Sequence, residues 1–212
     1  MLTIMIGTPN QLQAGVELDL AAYRHKVFVE HLGWDLPAVQ SGLERDQFDR
    51  SDTLYVVAKD SQGHICGCAR LLSTTQAYLL GSVFPELMGN QPSPCSADIW
   101  ELSRYTTQVV HGEATSRDEA RERFRTLLQA VVEAAVERGA TRLVTFSGIG
   151  VERIARSFGI HIHRVGPPRP IDGKPVLAFW IELDAQTFRA LGLSIAASWS
   201  SRTERKSAVN GH

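Results

Sequence analysis

The sequence predicts an α/β domain, a mixed β-sheet flanked by helices. Three patterns carry that reading. Apolar residues recur at helical spacing near the start, a strand–turn–strand signal follows, and a long capped helix leads into an apolar strand.

Leu12, Val16, Leu20, Tyr23 and Val27 share one helical face and define an amphipathic helix over residues 11–31. Residues 33–52 have no period, contain Gly33, Pro37, Ser41 and Gly42, and read as a loop long enough to wall or cover a pocket. Thr53 to Lys59 is rich in β-branched and aromatic residues; Asp60-Ser61-Gln62-Gly63 is a turn, and His64 to Ser73 is the return strand of an antiparallel hairpin. Short helical pieces are expected between Tyr78 and Met88, and Asp98 to Tyr105 reads as a strand. Residues 106–117 are polar and expected to be mobile. Ser116 with Glu119 forms a capping box that opens a helix burying Phe124, Leu128, Val131 and Ala135, closed by Gly139. Thr141–Ser147 is an apolar strand and Val151–Phe158 a short helix. Two more strands, His161–Val165 and Val176–Leu183, flank a Pro-rich loop containing Asp172-Gly173. From residue 194 to 212 the chain is polar and Ser-rich and is expected to fray, leaving residues 1–193 as one domain.

Bulk composition excludes several classes. The 212 residues carry a net charge of -1, against a charge-driven nucleic-acid binder. No apolar run is long enough to span a membrane, and Met1-Leu2-Thr3-Ile4-Met5 lacks the form of a secretory signal, so a cytoplasmic protein is expected. Cys66, Cys68 and Cys95 make no disulfide framework. His64, Cys66 and Cys68 share a strand face, but a metal site would need a fourth ligand and better spacing. Buried free thiols are the better reading, and no metal is expected. P-loop, dinucleotide-binding, nucleophile-elbow and HExxH motifs are absent.

The chemistry-bearing stretches are Glu44-Arg45-Asp46-Gln47-Phe48-Asp49 and Trp100-Glu101-Leu102-Ser103-Arg104. Loop carboxylates are usually solvated. Arg70, however, shares a strand face with Cys66 and Cys68 and is expected to reach a carboxylate or a ligand. Glu101 and Arg104 alternate to opposite faces of an ideal strand, so a bulge near Leu102-Ser103 is needed to re-aim one of them. Tyr23, Phe28, Trp34, Phe48, Phe84 and Trp100 interleave with these charges. Burial tendencies favour core packing for them, and the functional alternative is a cation-binding aromatic wall. The residues by themselves reach an α/β enzyme or small-ligand binder with a charged, aromatic-rimmed pocket.

From Leu20 to Leu183 the chain resembles the acyl-homoserine-lactone synthases, the LuxI-type autoinducer synthases. The carriers are Tyr23-Arg24-x-x-Val27-Phe28, Trp34, Glu44-x-Asp46-x-x-Asp49, Arg70-Leu71, Phe84 and Trp100-Glu101-Leu102-Ser103-Arg104, in that order. The resemblance implies a GNAT-like fold with a V-shaped cleft between the strands of residues 98–105 and 141–147. A Q/R-x-x-G-x-G/A pyrophosphate loop before the helix at Glu119 is missing. This agrees with the implied donor, an acyl chain on the phosphopantetheine of an acyl carrier protein rather than on free CoA. The implied acceptor is S-adenosylmethionine, as substrate and not cofactor.

By this resemblance Glu101 is the leading candidate base and Glu44 the second, with Arg70 and Arg104 also catalytic. Arg24, Phe28, Trp34, Asp46, Asp49, Arg70 and Arg104 form the S-adenosylmethionine site, with Asp46 and Asp49 paired to the arginines and loop 33–52 as its cover. The acyl pocket draws on Leu72, Leu79, Phe84, Trp100, Leu102, Ser103, Phe146, Ser147, Gly148 and Ile149. Ser147 or Gly148 stands where relatives preferring 3-oxo chains carry Thr, so an unsubstituted chain of about eight carbons is expected, a difference worth roughly 1 kcal/mol. Arg153, Arg156 and Arg164 are the candidate docking face for an acidic carrier protein. The alternatives are a GNAT-type N-acyltransferase using acyl-CoA and another amine, and a non-catalytic sensor.

Overall fold

The computed structural model describes residues 2–36, 42–111 and 116–194. In chain order the elements are β1 (Thr3–Gly7), α1 (Val16–Arg24), a π-helical segment (His25–His31), β2 (Leu54–Lys59), β3 (Ile65–Ser73), α2 (Leu79–Val83), a 3-10 turn (Pro85–Met88), β4 (Ile99–Thr106), α3 (Arg117–Glu137), β5 (Arg142–Gly148), α4 (Ile149–Ser157), β6 (Ile162–Arg164), β7 (Arg169–Ile171), β8 (Lys174–Glu182) and α5 (Ala185–Leu191). The result is a mixed α/β chain with an open, mostly antiparallel sheet and flanking helices.

Two compact units divide it. The first comprises Met1–Leu72 and Leu102–Val131, the second Ser73–Glu101 and Val132–His212.

In the first unit the strand order is β1-β2-β3-β4. β2 and β3 form the expected hairpin, in register from Leu54↔Leu71 and Tyr55↔Arg70. One face of α1 packs Val16, Leu20 and Tyr23 onto Tyr55, Val57, Ile65 and Cys68, with Val27 and Phe28 continuing that face. This is the predicted apolar stripe, but the helix does not span residues 11–31. It starts at Val16, after Gly15 in the left-handed region (φ 88°), and widens to a π-helix at His25. The wider turn carries Leu32 N to Val27 O at 3.0 Å and Trp34 N to Phe28 O at 2.9 Å, which lays Trp34 on Phe28 with ring centroids 4.7 Å apart. Gly67 lets α3 approach β3 closely; a Cβ there would stand 3.2 Å from Thr106 O and 3.5 Å from Leu127 Cδ2. The α3 start is the predicted capping box: Glu119 N donates to Ser116 Oγ at 3.2 Å and Ser116 N to Glu119 Oε2 at 2.9 Å. The thiols of Cys66 and Cys68 are buried, with burial pushing that of Cys68 up to about 12.

The second unit is ordered β4-β5-β8-β6, with β7 on β8. The expected Pro-rich loop contains a hairpin instead. β7 pairs β8 from Arg169↔Val176 to Ile171↔Lys174, and Asp172 (φ 48°) and Gly173 (φ 72°) make the turn. Positive φ at both central positions is what a two-residue Asp-Gly hairpin requires. Two other elements went unpredicted. β1 is a five-residue strand, and α5 is a short helix capped by Asp184 Oδ1, which accepts from Gln186 N and Thr187 N at 3.0 Å each.

The expected tail lies outside the described residues from 195 onward, as do residues 37–41 of the predicted cover and 112–115 of the polar stretch.

Candidate active site

α1, the loop after the π-helical segment, β3 and β4 deliver a closed ring of charge within the first unit. Arg24 Nη1 and Nη2 grip Asp49 Oδ1 and Oδ2 at 2.7 and 3.0 Å, and Arg24 Nε donates to Glu44. Glu44 accepts from Arg104 Nη2 at 2.9 Å, and the same Nη2 reaches Asp46 Oδ2 at 2.9 Å. Asp46 Oδ1 accepts from Arg70 Nη1 at 2.6 Å, and that Nη1 returns to Asp49 Oδ1 at 3.1 Å. Each carboxylate thus bridges two guanidiniums and each guanidinium two carboxylates, so the formal charges cancel. Such mutual pairing is what allows ions to stay charged away from water.

Local geometry fixes the loop acids. Glu44 N donates to Ala21 O at 3.0 Å, pinning the loop to α1. Phe48 N donates to Asp46 Oδ1 at 2.8 Å, an Asx turn, and Asp46 N donates to the Asp49 Oδ2 three residues on at 2.8 Å. Thr53 Oγ1 holds Phe48 O at 2.6 Å, seating Phe48 under Arg70 at 5.8 Å from guanidinium carbon to ring centroid.

A bulge was expected near Leu102-Ser103; the unusual backbone in β4 lies instead at Arg104, whose φ of 53° is left-handed. A non-glycine residue adopts it only under compulsion from its surroundings. Arg104 O accepts from Cys68 Sγ at 3.3 Å, while the guanidinium lies 5.6 Å from the Phe28 ring and 5.7 Å from Trp34. The aromatic pair therefore stacks beside a charge that belongs to the ring.

Burial opposes the charge of Glu44, but the Arg24 and Arg104 guanidiniums outweigh it and hold its carboxyl below the usual range. Asp49 behaves alike: burial is overcome by Arg24 and then Arg70, and its carboxyl falls well below normal. Burial, with the Asp49 charge adding to it, pushes the Tyr55 phenol far up.

Arg24, Phe28, Trp34, Glu44, Asp46, Asp49, Arg70 and Arg104, scattered in the sequence, are therefore brought together. One contributor was missed. Tyr55 hydroxyl donates to Asp49 Oδ1 at 2.7 Å; the signal was its hairpin position directly across from Arg70. Ser103, a candidate for the acyl pocket, accepts from Arg70 Nε at 3.1 Å. Arg70 is fully buried, and its Nη2 makes no hydrogen bond.

Glu101 is placed differently. It is fully buried in the second unit, where its carboxylate accepts from Leu79 N at 3.1 Å and Leu80 N at 2.5 Å at the start of α2. Of the acyl-pocket candidates, Leu72 and Leu102 are buried in the first unit and Leu79 in the second. In the second unit the Phe84 and Phe146 rings are 5.2 Å apart, Trp100 Nε1 donates to Ala97 O at 3.3 Å, and Ser147 Oγ donates to Gly148 O at 3.2 Å beside Ile149 at the start of α4. Arg156 and Arg164 are not simply solvated. Both bind the buried Glu152, Arg164 through Nε at 3.1 Å and Nη2 at 2.9 Å, while Arg153 is exposed. Among the described residues no group of three or more His, Cys, Asp or Glu is placed to hold a metal ion, and no helix is long and apolar enough to cross a membrane.

The autoinducer synthase family profile matches residues 10–191. The chain belongs to the autoinducer synthase family. An acyl-homoserine-lactone synthase of Ralstonia solanacearum is 47% identical over 191 residues, covering 89% of this synthase and 93% of the relative. One from Acinetobacter baumannii is 43% identical over 184 residues, 86% of this chain and 100% of the relative. The crystal structure of TofI, in a ternary complex with an inhibitor and MTA, superposes with a TM-score of 0.81 at 44% identity, covering 92% of this chain and 98% of that one. The synthase is thus an acyltransferase of GNAT-like fold.

Proposed function

We propose that the enzyme transfers an acyl chain from an acyl carrier protein to S-adenosylmethionine, then closes the lactone and releases methylthioadenosine. The observation that carries this reading is the buried Arg24–Glu44–Arg104–Asp46–Arg70–Asp49 ring beside stacked Phe28 and Trp34. The substrate is a zwitterion with an added sulfonium, so it needs anchors of both signs and an electron-rich wall. The Nη2 of Arg70 is a buried donor suited to a carboxylate, the ring carboxylates suit an ammonium, and the aromatic faces suit a sulfonium.

The α-amine must first lose a proton. A carboxylate takes it, directly or through water; Glu101 is the leading candidate and Glu44 the second. Two backbone donors hold the Glu101 carboxylate in place. The nitrogen lone pair attacks the thioester carbon, the carbonyl becomes an oxyanion, and collapse expels the thiolate, which takes up the second proton that the attacking nitrogen sheds on becoming an amide. Backbone N–H groups along Leu102–Arg104, bent by the left-handed Arg104, are the proposed oxyanion donors. The methionyl carboxylate then attacks its own γ-carbon and the sulfonium leaves as a neutral thioether. That step requires mainly a folded-back near-attack geometry.

The catalytic domain is taken as residues 1–193. Arg153, Arg156 and Arg164 are proposed to meet the acidic carrier protein, with Glu152 fixing the latter two at the end of α4 and on β6. The test is to incubate the protein with S-adenosylmethionine and octanoyl-carrier protein and analyse by mass spectrometry. Octanoyl-homoserine lactone and methylthioadenosine are the expected products. Turnover with octanoyl-CoA but not the carrier thioester would replace the donor assignment, and a 3-oxo lactone as main product from mixed donors would overturn the chain preference.

A further inference from the structure

The face of α1 opposite Arg24 is built for something other than the charge ring. At about 100° per residue, Asp19, Ala22 and Tyr23 point away from Arg24, and Lys26 follows them one turn on. They form one side of an open cavity of about 260 Å³, lined across from them by the turn before β3 and by the segment after β4. Ala22, Ile65 and Val110 give it an apolar wall. The Tyr23 hydroxyl is already committed, donating to Gln108 O at 2.7 Å.

Three basic side chains from three separate segments converge at its rim. Lys26 Nζ stands 3.2 Å from His111 Nε2, and the His64 and His111 rings are 5.3 Å apart, tilted by 40°. Among the described residues, the acids near them are Asp60, whose Oδ2 is 3.7 Å from His64 Nδ1, and Asp19 on α1. An anion seated at this rim would be met by the Lys26 ammonium and by ring N–H groups of His64 and His111.

We infer that this cavity is a second ligand site, taking a small oxyanion, a carboxylate or phosphate on a short apolar body, held by Lys26, His64 and His111. The site is separate from the charge ring, and its presence or absence leaves the synthase assignment untouched.

The probes are sodium phosphate and sodium butyrate, each titrated into the full chain at pH 6 against sodium chloride of equal ionic strength. Imidazole signals are followed by nitrogen-15 NMR and assigned with His64→Asn and His111→Asn. Saturable shifts confined to His64 and His111, with affinity weakened about tenfold in Lys26→Gln, support the site. Butyrate saturating alone assigns the ligand as a carboxylate carrying an apolar body, phosphate alone as a phosphate. Shifts that never saturate, that spread equally to His161 and His163, or that are unaltered by Lys26→Gln overturn it. Lys26→Gln is checked by circular dichroism, and if it is unfolded, Lys26→Arg, which keeps the charge, must retain saturable binding or the proposal fails.

Discussion

Arg104 holds Glu44 across sixty positions of sequence, with Nη2 at 2.9 Å from Oε1 and Nε at 3.2 and 3.3 Å from the two carboxylate oxygens. Neither residue is accessible enough for water to replace the other, since both are buried. The contact is one of six that close the ring, so damage at any member leaves two opposite charges short of a partner.

Glu44→Gln keeps the shape and removes the charge shared by Arg24 and Arg104. Stability is expected to fall by about 3 kcal/mol, within the range for breaking a buried ion pair. Urea unfolding monitored by circular dichroism measures this, and a loss under about 0.5 kcal/mol, no more than an ordinary surface change, would contradict the ring's coupling.

Arg70→Lys replaces a planar fork that serves Asp46, Asp49 and Ser103 with a single ammonium. Activity in the lactone assay is expected to drop about a hundredfold, as misplaced substrate does. Asp46→Asn is expected to match it, and near-normal turnover in both would remove these residues from the reaction.

The Tyr55→Phe variant loses only the hydroxyl on Asp49. A cost of about 1 kcal/mol and a several-fold rise in KM for S-adenosylmethionine, with kcat kept within a factor of about three, are the expected steady-state result for a positioning residue.

Stability should depend on acid in a particular window. Glu44 and Asp49 titrate lower in the folded chain than in the unfolded chain. Their contribution is therefore fully present above the unfolded carboxylate range, about pH 4, and is lost as pH falls toward their folded values. Urea midpoints should be flat from pH 7 to about 5 and fall below about 4. Asp49→Asn should make that fall shallower, and an unchanged acid slope would count against the shift.

Charge reversal at Arg153 should raise KM for the carrier protein and leave that for S-adenosylmethionine alone, more so at low salt. Arg156→Glu should in addition lower stability, because it places a second acid against Glu152. Equal kinetics for wild type and Arg153→Glu would move the docking face elsewhere.

Local signals in the chain were enough for the hairpin, the α3 capping box, the apolar face of α1 and the family. Each is written within a few residues of itself, as period, turn chemistry or ordered motif. Short elements escaped: β1 offers only five residues, and the β7–β8 turn was hidden among prolines although Asp172-Gly173 is its signal. Pairing partners were legible as types but not as a circuit. That Asp49 takes Arg24 in both of its oxygens while Asp46 takes Arg70 and Arg104 depends on the β2–β3 register, the Glu44 anchor on Ala21 and the left-handed Arg104. The sequence by itself determined the ordered acidic and arginine motifs and, through the family resemblance, that Asp46 and Asp49 pair with arginines, while Glu44 read only as a candidate base. Only the tertiary structure decided who neutralises whom, and that Glu101 caps α2, because ion pairing acts through distance and burial, which side-chain identity alone does not set.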